Sequence, residues 1–149
     1  MSTRSRVGVM HGSKCKSIYI HWDGYLDGVG RTLFEHYNSA KANHLVALGD
    51  VSSLDQNVEI PEGVEHSFDR PLDGVTTFYG RDRSETGVEF QVDHTFEEFL
   101  HRVDECGAEF YYIIQDGVWY AGGIHDEPGL SKCGLVPLSE ALAWEAIAR

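Results

Sequence analysis

At 149 residues, with 42% hydrophobic and 24% charged side chains, the chain has the size and composition of one globular domain, which excludes an intrinsically disordered protein. Its net charge of −12 is unevenly placed: residues 1–49 carry six Lys/Arg against three acids, and residues 50–149 carry six against 21. A field that negative over the second part repels phosphate backbones, so direct nucleic-acid binding is not expected there, whereas a protein with a basic surface is an expected partner.

The opening MSTRSRVGVMHGSK has no apolar core, and no apolar run approaches the length of a membrane span. Cys15, Cys106 and Cys133 are far apart and form no CxxC or CxxH spacing. These features predict a cytoplasmic protein with free thiols, no disulfide framework and no membrane partner.

In chain order, Ser17–Trp22 alternates Ile18, Ile20 and Trp22 against Ser17, Tyr19 and His21, the period of a half-buried strand. That strand is expected to pair with Val7–Met10, with Trp22 turned inward. After Asp23-Gly24, the residues Val29, Leu33, Tyr37 and Ala40 recur at helical spacing, with Asp27 placed to cap the helix and Asn38-Ser39 placed to break it. Leu45 and Leu48 belong to the second piece, which stops at Gly49. Residues 50–74 lose periodicity and contain Pro61 and Pro71; a connection that long in a compact domain is more often functional or mobile than idle.

Val75–Tyr79 and Val88–Val92 are expected to pair with each other as strands. Thr95-Phe-Glu-Glu98 is a capping box, followed by Phe96, Phe99, Leu100 and Val103 on one helical stripe and by Gly107 as the stop. Asp116-Gly117, between Glu109–Gln115 and Val118–Ala121, marks a two-residue hairpin. A Gly/Pro-rich stretch over 122–137 leads to a closing helix, Leu138–Arg149. The order β, β, broken α, β, β, α, β, β, α predicts an α+β fold over residues 1–149 as a single domain, with a mainly antiparallel sheet and about three helices packed on one face.

The densest cluster of chemically useful residues is His21–Gly30. Tyr19 and His21 share the polar face of their strand, and Gly28 and Gly30 bracket the expected helix start, where free N–H groups favour an anion. Arg31 in the first turn adds a phosphate contact, so Tyr19, His21, Asp23, Gly28, Gly30 and Arg31 form a candidate site for a phosphate-containing small molecule. The competing account makes the glycines a tight turn, and the carboxylates of Asp23 and Asp27 oppose an anion. No Lys-Ser/Thr follows to complete a P-loop.

The run Ile18–Gly30, with Leu33, His36-Tyr-Asn38 and Leu48–Leu54, resembles a family of small, uncharacterised phage and bacterial proteins that share a His-Trp-Asp-Gly-Tyr core followed by a Gly-Val-Gly-like turn. The resemblance covers about the first third of the chain and brings no activity with it. It implies a phage or mobile-element setting, in which small acidic proteins bind and block host factors, in the host cytoplasm.

The eight histidines, including the His21-x-Asp23 and His125-Asp126 pairs, show no diagnostic ligand spacing, so neither a metal nor a cofactor is expected. No Gly-x-Ser-x-Gly elbow or triad pattern marks a catalytic residue. Cys106 falls at the end of the capped helix, where the dipole does not activate a thiol. The aromatics Phe110, Tyr111, Tyr112, Trp119 and Tyr120 either fill a core or form an exposed stacking platform. The leading expectation is a non-enzymatic binding or inhibitor protein using an acidic surface, with Glu97, Glu98, Asp104 and Glu105 as its partner-facing residues. A phosphate or nucleotide binder at the Asp23–Arg31 turn is the alternative, and a hydrolase-like enzyme the third.

Overall fold

Among the described residues, alternating apolar side chains and two tight turns organise a sheet of eight strands. The structure, a computed structural model, describes residues 2–124, 130 and 134–148. Strands β1 (Ser5–His11) and β2 (Lys14–Ile20) form the expected antiparallel hairpin, in register from Ser5 opposite Ile20 to His11 opposite Lys14. Strands β6 (Phe110–Gln115) and β7 (Val118–Gly123) form the second. Its turn holds Asp116 at φ 51° and Gly117 at φ 78°, the positive pair that a two-residue turn needs to match the strand twist.

The other strands are β3 (Val51–Ser53), β4 (Thr77–Phe78), β5 (Gln91–Asp93) and β8 (Val136–Pro137), and the sheet runs β4-β3-β2-β1-β6-β7-β8. The architecture is α+β, but the sheet is mixed rather than simply antiparallel: β1 lies parallel to β6, and β2 parallel to β3. The continuous apolar run Phe110–Ile114 is buried throughout, as a central strand covered on both faces must be.

That burial also explains why the helices are not gathered on one face. A π-helical turn (Leu26–Gly30) and the helices α1 (Arg31–His36), α2 (Ser39–Ala47) and α5 (Leu138–Ala148) supply the core that contains Val7, Ile18, Ile20, Tyr112 and Ile114. The alternate residues Cys15, Tyr111 and Ile113 point the other way and pack against Phe99 and Val103 of α4 (Phe96–Glu105). A fifth helix, α3 (Tyr79–Arg83), follows β4.

The helix signals behave as their chemistry dictates. Asn38 breaks the first helical stretch and caps α2, its side chain accepting from Lys41 N–H at 2.9 Å. Thr95 Oγ1 accepts from Glu98 N–H at 3.1 Å, and Glu98 reaches back to His94 N–H at 2.7 Å. Two further expectations fail. Residues 75–79 and 88–92 do not pair with each other: β4 joins β3, α3 intervenes, and β5 joins β2. Trp22 is not in the core but 44% exposed, beyond the end of β2 at Ile20, where the chain continues alongside β3. Among the described residues no helix is long and apolar enough to cross a membrane.

Candidate functional site

Two strands share one edge of β2. β3 meets it at Ile20 and β5 meets it at Cys15–Ser17. Between them the Asp50 carboxylate accepts the Tyr19 N–H at 2.9 Å, filling the break in the ladder. Burial holds the Asp50 carboxyl above its usual value, opposed by the Tyr19 N–H and Arg6.

The chain beyond Ile20 continues alongside β3, His21 N–H donating to Val51 O and Trp22 N–H to Ser52 O, both at 3.1 Å. This places His21 and Trp22 at the mouth of a cleft of about 600 Å³. Ser52, Ser53 and Thr77 form its strand side, and α3 contributes Tyr79 and Arg83. The long connection contributes Asp55, Phe68, Leu72 and Asp73. Phe68 and Tyr79 lie with ring centroids 5.7 Å apart, and the Arg83 guanidinium sits 4.7 Å from the Phe68 centroid. His21 packs edge-on to Trp22, at 4.7 Å between centroids.

The connection keeps its shape through a buried polar hub. Asp82, in α3, accepts from Phe78 N–H at 2.8 Å and from Arg81 Nε at 2.9 Å. His66 is wholly buried in its side chain; its Nδ1 accepts from Leu72 N–H at 2.9 Å, so its proton sits on Nε2, facing Asp82 Oδ2 at 3.2 Å. Burial pushes the Asp82 carboxyl up, but Arg81, the Phe78 N–H and His66 together outweigh it, and the carboxyl sits below its usual value. Arg81 carries the tie onward to Val58 O at 2.5 Å and Thr76 O at 2.8 Å. Asp55 takes Gly74 N–H at 3.2 Å, and its own carbonyl accepts from Tyr37 Oη at 2.7 Å. The connection is therefore a built wall of the cleft.

Of the residues singled out in the sequence, Tyr19 and His21 come together: Tyr19 Oη lies 2.7 Å from His21 Nδ1. Burial, and next the Arg4 charge, lower the His21 pKa. Asp23 takes a positive φ of 57° and is exposed, with Tyr25 Oη 3.5 Å from its carboxylate.

The Gly28–Arg31 segment is occupied by its own bonds. Gly28 N–H and Gly30 N–H donate to Tyr25 O, and Val29 N–H to Asp23 O. Arg31 Nε lies 2.6 Å from Asp27, which bonds the arginine instead of capping a helix. A Cβ on Gly28 would come 2.2 Å from Asp23 O, and one on Gly30 would come 3.1 Å from the Tyr112 ring. The glycines thus allow close packing, and the donors expected for an anion are already engaged.

Glu97, Glu98, Asp104 and Glu105 are all exposed on α4. Arg102 on the same helix is committed to the buried Asp93, with two contacts of 2.9 Å. Phe110, Tyr111, Tyr112 and Trp119 are buried in the two cores and Tyr120 is half-buried, so the five hairpin aromatics do not form an exposed stacking platform. Cys15 and Cys106 are free, and the Cys106 thiol donates to Val103 O at 3.4 Å. Cys133 and the His125-Asp126 pair lie outside the described residues. Among the described residues no group of three or more His, Cys, Asp or Glu could hold a metal ion.

The residues that sequence inspection missed are Asp55, Phe68, Tyr79, Arg83 and the Asp82 hub. Their one visible signal was the length of the unpatterned connection. No family model, curated protein or solved structure matches this chain.

Proposed function

We propose that the protein is a non-enzymatic binding protein whose recognition site is the cleft between the end of β2 and the 54–76 connection. The observation that carries this is a pre-formed concavity of about 600 Å³ with an aromatic wall, Phe68 and Tyr79, near the polar groups of Ser52, Ser53, Asp55 and Thr77. Such sites combine apolar contact area with a few placed polar groups. The fitting ligand is a small organic molecule with a planar ring and hydrogen-bonding substituents. A thermal-shift and fluorescence panel of such compounds tests it, with metabolites extracted from the purified protein as a second source. A ligand should raise the melting temperature, change the Trp22 emission, and lose affinity in Trp22→Ala and Phe68→Ala. Binding that ignores both substitutions sinks the assignment.

A second surface supports partner binding. Glu97, Glu98, Asp104 and Glu105 are exposed along one helix whose arginine is already paired. This favours a basic protein partner, and a host protein in a phage-related setting is the partner we propose. Affinity for it should fall with salt and on joint neutralisation of the four acids, since exposed charges are screened beyond about 8–10 Å at physiological ionic strength. An affinity indifferent to both would place the interface elsewhere.

A further inference from the structure

Arg6 is a buried arginine with no ion pair among the described residues. It is 4% exposed, on the α4 face of β1, and two of its nitrogens are spent on one residue: Nε donates to Ser17 Oγ at 2.8 Å and Nη2 to Ser17 O at 3.3 Å. Among the described residues no carboxylate oxygen lies within 4.0 Å of its guanidinium, unlike Arg31, Arg81 and Arg102. The sulfur of Cys106 is within hydrogen-bonding reach, and Asp50 acts on Arg6 through its charge. A guanidinium cannot shed its proton in a protein, so burying it without an anion is costly. Nη1 makes no bond to a protein oxygen among the described residues, and Arg6 lines a cavity of about 430 Å³ beneath α4, with Tyr19, Asp50, Gln91, Arg102 and Cys106.

We propose that this cavity is an oxyanion subsite, in which the Nη1 edge of Arg6 binds a small carboxylate or phosphate group. The site is distinct from the cleft at His21 and does not depend on its assignment. Arg102 adds a second cation at the rim, although Asp93 largely satisfies it. Two carboxylates line the cavity and oppose an anion. Glu105 is exposed and screened, while the Asp50 carboxylate is engaged by the Tyr19 N–H and its remaining charge weakens the site. Cys106, half-buried at the cavity wall, reports occupancy because a bound anion covers its sulfur.

The test titrates the full chain with inorganic phosphate and, separately, with acetate, against chloride at equal ionic strength. The readouts are the NMR resonance of Arg6 Nε–H and the rate at which iodoacetamide labels Cys106, followed on its own peptide by mass spectrometry. Saturable shifts with matching protection of Cys106 are expected in at least one arm. A response to phosphate alone assigns a tetrahedral group, and to acetate alone a carboxylate. Arg6→Lys should weaken binding about tenfold, the equivalent of one charge-assisted hydrogen bond. Asp50→Asn keeps an oxygen for the Tyr19 N–H and should tighten binding. No saturable response of the unmodified protein to either anion overturns the proposal, as does a response that both substitutions leave unchanged.

Discussion

Tyr19 Oη and His21 Nδ1 lie 2.7 Å apart, and this contact joins two cavities: Tyr19 lines the one beneath α4 and His21 lines the cleft beside β3. It exists because residues two apart on a strand project from the same face. Burial raises the Tyr19 pKa, so the phenol keeps its proton at neutral pH and donates to Nδ1 or accepts from it according to the imidazole tautomer.

His21 should therefore titrate below the ordinary histidine value of about 6.5, because burial and then Arg4 disfavour its charged form. The sign follows from linkage. A folded value below the unfolded one means that its contribution to stability is present above about pH 6.5 and is lost as pH falls through the folded value. Tyr19→Phe removes the hydrogen bond but neither cause of the shift, so the depressed titration should survive. Nitrogen-15 NMR of the imidazole reads both; a His21 titrating at or above the ordinary value contradicts the geometry.

The Gly28–Arg31 segment should respond as a packing element. Gly28→Ala drives a Cβ onto the backbone oxygen of Asp23 at 2.2 Å, whereas at Gly30 the 3.1 Å neighbour is a side-chain ring. Gly28→Ala should thus lower the melting temperature more than Gly30→Ala. Arg31→Ala should change stability by only about 0.5 kcal/mol or less, since its ion pairs are partly exposed and screened by solvent. Equal melting temperatures for the two glycine variants would refute the contact argument.

Much of the fold was legible because its signals are local. Thr95 and Glu98, Asn38, and Asp116-Gly117 carry their structure in chemistry that acts within four residues. What escaped was set by distant partners. Val88–Val92 has the alternation of a strand, but only Gln91 and Val92 enter one, and its mate is β2, far back in the chain; periodicity does not name partners. The run Phe110–Ile114 was read within a sheet covered by helices on one face, whereas α4 covers its second face. At the site, Tyr19 and His21 were readable from strand period, while Asp82 and His66 meet only after the connection folds back.

The α4 cap should be worth about 1 kcal/mol, because Thr95 Oγ1 satisfies the Glu98 N–H that the first turn leaves open. Thr95→Ala should lose that amount in chemical denaturation, and Thr95→Ser should retain most of it. Indistinguishable Ala and Ser variants would mean that the hydroxyl is idle.

Asp82 should decide whether the cleft wall stands. Its side chain is 2% exposed and receives Arg81, His66 and the Phe78 N–H. Asp82→Asn keeps one oxygen but loses the charge and sets an NH2 donor among the donors of Arg81, His66 and the Phe78 N–H, so it should cost about 2–4 kcal/mol. The loss should be uneven in space: Leu72 N–H, held by His66, and Phe78 N–H, held by Asp82, should exchange with solvent faster than amides of the β1–β6 pairing. It should also be uneven in pH. The folded Asp82 pKa lies below the usual carboxylate value, so its contribution is complete above the unfolded value of about 3.9 and disappears as pH falls through the folded one. Melting curves of the parent and Asp82→Asn should differ most near neutrality and converge in acid. Curves that stay parallel down through the acid range would show that the Asp82 charge does not hold the connection, and the cleft would then need another support.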